Sequence, residues 1–139
     1  MIKGKFIGAA GVCVNDENKV LMVLQSTRTE PNSRLWAIPS GNKEPNETFE
    51  SCCIREIWEE TGYNVKITKK IKNKNGISNG FDVDVQYFEV ELLDGVPEIN
   101  DPDHLVFDID WKSIDEIKEL ELSYPEDKEF LIKYLTAKN

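Results

Sequence analysis

The first quarter of the chain contains two apolar runs separated by turn-forming residues. Residues 6–14 and 19–25 are apolar and β-branched, and the Asn-Asp-Glu-Asn sequence at 15–18 has turn chemistry. This pattern predicts a hairpin of two strands. A polar loop at 26–34 follows, and the short apolar segment 35–38 then leads into a Pro-Ser-Gly sequence.

The pattern then changes to that of a helix followed by further strands. Residues 48–61 have helical composition, and Gly62 is a typical stop residue. Strands are predicted at 63–71 and 81–93, separated by the turn-prone segment 73–80. Within the second of these strands the apolar alternation changes phase after Tyr87, which either a bulge or burial of both faces would produce.

The last third of the chain predicts one more strand and two helices. Residues 105–111 form the strand, and Ser113 can cap a short helix over 114–120. A final helix is predicted to begin near Pro125, with an apolar stripe that seals the core: Phe130, Leu131, Tyr134 and Leu135. Strands and helices mixed in this order predict an α/β sandwich with a mixed sheet.

Length and composition are those of one globular domain. The chain has 139 residues, of which 40% are hydrophobic and 31% charged. No apolar run approaches the roughly 20 residues of a membrane span, and the N-terminus lacks a signal-peptide layout. We therefore expect a single domain over residues 1–139, a cytoplasmic location and no membrane partner.

The charge and the cysteines narrow the classes of partner. A net charge of −9 argues against binding of a nucleic acid polymer, which needs a positive surface. Five lysines between positions 66 and 74 suit either an aggregation-resistant strand edge or a phosphate-attracting patch, and we favour the edge. The three cysteines are interpreted as reduced, packed thiols, and a zinc site is improbable because His104 is the only histidine. The cysteine positions are Cys13, Cys52 and Cys53.

The predicted helix carries three glutamates on one stripe. At about 100° per residue, Glu56, Glu59 and Glu60 extend the stripe begun by Phe49, Cys52 and Cys53. The side carrying Ile54, Ile57 and Trp58 is also expected to be buried. Like charges at these spacings repel, and acids are unfavourable near a helix C-terminus, so a cation should compensate them. Magnesium, which prefers oxygen ligands, would do so; a solvated acidic helix end is the alternative.

The spacing of fixed residues over 41–63 resembles the Nudix box. Gly41, five residues, Glu47, seven residues and then Arg-Glu-Ile-Trp-Glu-Glu-Thr-Gly-Tyr over 55–63 match it at every specified position. The resemblance implies a Nudix-type α/β/α sandwich with a mixed sheet. It also implies a hydrolase that cleaves the diphosphate linkage of a nucleoside diphosphate derivative.

Residue roles follow from the resemblance, position by position. Glu56, Glu59 and Glu60 become Mg²⁺ ligands, with Mn²⁺ as an alternative ion, and Glu56 is also the candidate base. Arg55 would orient these carboxylates, and Ser40 would offer its backbone carbonyl to the metal. Where relatives often have Gly-Gly this chain has Ser40-Gly41, which would be strained if the backbone there required positive φ. A second departure is Asn46, where many relatives have glycine.

Glu47 is assigned a catalytic role by the same resemblance, but periodicity does not support it. A continuous helix would place Glu47 opposite Glu56, since nine residues separate them. Glu47 would then act only on the helix N-terminus, through its charge. Both roles stay open at this point.

The substrate beyond the diphosphate is not specified by the box. We favour a nucleoside triphosphate over ADP-ribose or a nucleotide sugar, and expect a small nucleotide as partner. Phe81 and Tyr124 are candidate base-reading aromatics, or else ordinary core residues. The resemblance also implies an assisting acid from a late loop, for which Glu98, Asp101 and Asp103 are the candidates. A non-catalytic nucleotide-binding module and a plain acidic interaction protein are the other functional classes, and a homodimer is compatible with the sequence.

Overall fold

The computed structural model describes residues 4–27, 30–78 and 80–138. Within them lie seven strands and three helices, none of the helices being long and apolar enough to cross a membrane. The strands are β1 (Gly4–Cys13), β2 (Val20–Gln25), β3 (Leu35–Ala37), β4 (Ser40–Asn42), β5 (Tyr63–Ser78), β6 (Phe81–Gly95) and β7 (Val106–Lys112). The helices are α1 (Phe49–Thr61), α2 (Ile114–Glu119) and α3 (Asp127–Lys138).

The strands form two sheets. The larger has the order β4-β1-β6-β5, with β1 and β6 parallel and the other pairs antiparallel. The smaller, β3-β2-β7, is antiparallel. The mixed sheet confirms the predicted fold class.

Two apolar cores lie on opposite faces of these strands. One packs α1 through Cys52, Cys53 and Ile57, and the other packs α2 and α3 through residues such as Ile117 and Leu131. Tyr87 belongs to the second core and its neighbour Phe88 to the first, so β6 is buried on both faces at this point. Burial of both faces therefore explains the change of phase, and the register shift opposite Tyr87 and Phe88 places its extra residue in β5.

The predicted N-terminal hairpin is wrong. The turn exists, because the Asn15 N–H donates to the Lys19 carbonyl at 2.9 Å. However, β1 and β2 enter different sheets and share only one antiparallel bridge, between Val14 and Val20. Instead, β1 lies between β4 and β6, and β2 lies between β3 and β7, so each strand has its own neighbours on both edges.

The strands after α1 are longer than predicted. Most of the segment 73–80, expected to be a turn, continues β5 and pairs with β6 as far as Ser78 opposite Phe81. The strand β5 lies at the edge of the larger sheet, as the edge interpretation of its lysines requires. Helix α3 begins at Asp127, two residues beyond Pro125, and its Leu131 and Leu135 are fully buried as predicted.

Candidate active site

Helix α1 is fixed at both ends by local hydrogen bonds. The Thr48 hydroxyl accepts from the Ser51 N–H at 3.0 Å, and the Ser51 hydroxyl accepts from the Thr48 N–H at 3.1 Å. At the other end Gly62 has φ 79° and donates its N–H to the Trp58 carbonyl at 2.9 Å. This reciprocal cap and left-handed stop confirm the predicted helix bounds.

The segment 96–100, which follows β6, covers the C-terminal end of α1. The N–H of Glu98 donates to the Thr61 carbonyl at 2.9 Å, and the N–H of Asn100 donates to the Glu59 carbonyl at 2.6 Å. A side chain at Gly62 would collide with the Val96 carbonyl, so glycine is required for this close approach as well as for its φ. The covering segment brings the residues that follow it, 101–103, to the glutamates.

Arg55 is the central cation of the cluster. Its Nε and Nη2 meet the two oxygens of Glu47 at 2.5 and 2.9 Å, and its Nη1 lies 3.2 Å from Glu59 and 3.3 Å from Glu56. Glu47 precedes α1, so the argument that placed it on the opposite side of a continuous helix was wrong. Glu47 does not line the cavity; it contacts the site through Arg55.

Glu56 and Glu60 are carboxylates in a poorly solvated environment. Burial, together with the nearby charges of Glu59 and Asp101, raises the pKa of Glu56 to about 8 although Arg55 acts in the opposite direction. Burial also raises the pKa of Glu60 well above its usual range, and repulsion from Glu56 adds to this. Glu60 Oε1 is buried and has no hydrogen-bond partner among the described residues. Such an orphaned acceptor is costly unless something positive meets it.

The smallest residue type permits the closest contact in the cluster. A Cβ at Gly41 would fall on the carboxylate of Glu56, far inside the separation that real Cβ atoms show. Neither Gly41 nor Ser40 has positive φ, so Ser40 is not strained in β4. The departure from Gly-Gly therefore introduces no positive-φ strain at Ser40.

A cavity of about 770 Å³ connects the glutamates with a second, aromatic end. Ser40, Arg55 and the three glutamates line one end, and the predicted readers Phe81 and Tyr124 line the same cavity. Of the three candidate late acids, Asp101 and Asp103 line it and Glu98 does not. The charge of Asp101 also helps to raise the pKa of Glu56 and of Glu60, so Asp101 is the candidate late acid that interacts with the glutamates.

At the aromatic end, sequence reasoning missed Asp127 and considered Lys74 only as one of five lysines of a strand edge or a phosphate-attracting patch. Asp127 is 3% exposed and accepts a hydrogen bond from the Tyr87 hydroxyl at 2.7 Å, and Lys74 Nζ lies 3.2 Å from the same oxygen. The Lys74 ammonium also lies 5.1 Å from the centroid of the Tyr124 ring. Nothing distinguished Lys74 from the other lysines of β5, because its partners follow some fifty residues later.

The remaining predictions for α1 concern its apolar faces. The cysteines are free and buried, as predicted, and burial raises the pKa of Cys52 to about 12. Ile57 is buried, but Trp58 is 44% exposed, so the expectation that its side of α1 is buried throughout was wrong.

Comparison with known proteins identifies a domain across most of the chain. Residues 5–134 match the family model described as the NUDIX domain. A solved structure titled NUDIX hydrolase from Nitrosomonas europaea superposes with a TM-score of 0.80 at 25% identity, covering 96% of this chain and 90% of that one.

Two curated relatives match over shorter segments. A Bacillus subtilis (strain 168) protein provisionally named 8-oxo-dGTP diphosphatase is 36% identical over 64 residues, 46% of this chain and 40% of the relative. The ADP-ribose pyrophosphatase of the same organism is 41% identical over 68 residues, 48% of this chain and 36% of the relative. The matches thus span less than half the length of either relative.

Proposed function

Because the chain belongs to the NUDIX family, we propose that it is a divalent-metal-dependent pyrophosphohydrolase acting on a nucleoside diphosphate derivative. The favoured substrate is a nucleoside triphosphate. The observation that carries the proposal is the buried Glu60 Oε1, which has no partner among the described residues, beside Glu56 in a cavity of about 770 Å³. That volume is within the usual range of small-molecule sites.

The donor set fits a hard cation such as Mg²⁺, with Mn²⁺ as an alternative. Glu56, Glu59 and Glu60 would hold it through carboxylate oxygens, and Ser40 through its backbone carbonyl. In the described part of the chain no three acidic, imidazole or thiol groups already form a metal cage. When bound there, such an ion would supply positive charge that neutralises the diphosphate and activates water.

The protein's own residues would orient the reaction. Glu56 lies against Gly41 at the cavity wall, where it can accept the proton of the attacking water. Arg55 restrains Glu47, Glu56 and Glu59 through the ion pairs described above. Asp101 is the late acid we assign to the site, although three backbone N–H groups, those of Asp103, Leu105 and Val106, already hold its carboxylate in place.

The choice of substrate rests on the aromatic end of the cavity and on the relatives. Phe81 and Tyr124 can flank a nucleobase while the phosphates reach the glutamates. The relative provisionally named 8-oxo-dGTP diphosphatase favours a nucleoside triphosphate, and the ADP-ribose pyrophosphatase makes ADP-ribose the second candidate.

The proposal is tested by turnover of a panel of substrates with and without Mg²⁺, scored by kcat/KM. The panel contains ordinary and oxidised nucleoside triphosphates, ADP-ribose, nucleotide sugars and dinucleoside polyphosphates, and Glu56→Gln is run beside the wild type. We expect metal-dependent release of a phosphate product, highest for a triphosphate. Preference for ADP-ribose would transfer the assignment to the second candidate. Metal-independent turnover, or metal binding without turnover of any substrate, would refute the proposed chemistry.

A further inference from the structure

The short strand β4 contacts three charged side chains of α1 with three consecutive residues. The Ser40 backbone hydrogen-bonds Glu60, and Gly41 lies against the carboxylate of Glu56. The Asn42 carbonyl accepts from Arg55 Nη2 at 3.0 Å. Displacement of β4 would therefore disturb all three charged groups together.

The position of β4 is set in turn by β1, which lies outside the motif. Gly8 pairs with Asn42, and the Lys43 N–H donates to the Ile7 carbonyl at 2.8 Å. A Cβ on Gly8 would meet the Gly41 carbonyl oxygen well inside 3.0 Å, a separation that real Cβ atoms essentially never show. This obstacle is backbone, which cannot rotate away as a side chain can.

We propose that Gly8 is a positioning residue for the carboxylate cluster, acting through β4. Its lack of a side chain lets β4 approach β1 closely enough to place Ser40 and Gly41 against the glutamates. The proposal rests on the proposed function for its turnover readout, whereas its metal-binding readout needs no substrate.

Gly11, three residues further along β1, provides a matched control. A Cβ there would also be crowded, but by Cδ1 of Ile57, the flexible end of a side chain, and by Cys53 Sγ at 3.1 Å. Gly11→Ala is therefore expected to strain the apolar core behind α1, whereas none of the atoms nearest to its methyl group belongs to β4. The two substitutions add the same methyl group to the same strand and differ in what it meets.

The experiment compares Gly8→Ala and Gly11→Ala for the melting temperature, Mn²⁺ affinity by calorimetry, and kcat and KM on the best substrate. We expect Gly8→Ala to weaken Mn²⁺ binding and lower kcat by about 10–100-fold each, as for other residues that support metal ligands. Gly11→Ala should lower the melting temperature and keep both values near wild type. Equal Mn²⁺ affinity and kcat in the two variants would overturn the proposal.

A second pair keeps the test decisive if Gly8→Ala does not fold. Lys43→Pro removes the N–H that joins β4 to β1, whereas Lys43→Ala keeps it and removes the same charge. Weaker Mn²⁺ binding by the proline variant supports the proposal, and equal binding refutes it. A wild-type protein with neither Mn²⁺ binding nor turnover would instead refute the proposed function, so the two failures are distinguishable.

Discussion

The two ends of the cavity are built in different ways. The acidic end comes mostly from one contiguous stretch, β4 to the end of α1, in which each charged group is contacted by another residue of the same stretch. The aromatic end is assembled from β5, β6 and the start of α3, where Lys74, Tyr87 and Asp127 meet across long sequence separations. Under the proposed function, the chemistry would depend on residues close together in sequence and the selectivity on the tertiary fold, so substitutions at the two ends should have different signatures.

The largest effect is expected from Glu60→Gln. Loss of this candidate metal ligand should lower kcat by about 100-fold or more for every substrate, because residues that only support ligands already contribute up to about 100-fold. The fold should persist, because the change removes repulsion from Glu56. The control is Glu50→Gln, on the exposed first turn of the same helix. Turnover of Glu60→Gln close to that of the control would contradict the assignment.

The next largest effect is expected from Arg55→Lys. Lysine keeps the charge but cannot reproduce the paired contacts with Glu47, so kcat should fall by about 10–100-fold. Glu47→Gln should produce part of the same loss, and the double variant little more than Arg55→Lys alone, because one contact is removed twice. Additive losses in this cycle would show that Glu47 acts independently of Arg55.

A smaller and selective effect is expected at the aromatic end. Tyr124→Ala and Phe81→Ala should change kcat/KM unequally among nucleotides, because stacking on a base contributes about 1–3 kcal/mol. Glu56→Gln, measured on the same panel, should depress every substrate alike. An unchanged order of preference in both aromatic variants would remove these residues from substrate selection.

The smallest effect on activity is expected at Glu89, outside the cavity. Hydrogen bonds from Thr68 and Tyr134 hold the pKa of Glu89 down, at about 2. A carboxylate whose pKa is lowered on folding stabilises the fold at pH values above its pKa in the unfolded chain, which is near 4.5 here. This stability is lost as the pH falls toward 2. Glu89→Gln should therefore melt below the wild type at pH 6, and the difference should shrink over that acid range.

The control for this acid dependence is Glu91→Gln on the same strand. Glu91 pairs with Lys66 at 3.5 Å, and both side chains are more than half exposed. Its substitution should change the melting temperature little at any pH, since exposed pairs contribute little to stability. A constant difference between Glu89→Gln and the wild type from pH 6 to pH 2 would exclude the linkage.

The same division between local and distant determinants decides what could be predicted from the sequence. The bounds of α1 were predictable because Thr48 and Gly62 act on neighbours within one turn. The strand β4 was not, since Ser-Gly-Asn becomes a strand only where β1 offers an edge with Gly8 at the point of contact. The separation of β1 from β2 also depends on partners elsewhere in the chain, which a hairpin pattern does not encode.

The parallel pairing of β1 with β6 has a consequence for folding. Gly4 pairs with Phe81 and Cys13 with Val90, partners more than half the chain away. During synthesis β1 cannot pair with β6 until β6 has left the ribosome. Until then, the backbone groups on that edge of β1 stay unpaired. Closing so long a loop costs entropy before the contacts between β1 and β6 are gained, which slows folding. It also prolongs the exposure of an aggregation-prone strand edge. We therefore expect yield of folded protein to depend strongly on growth temperature and translation rate.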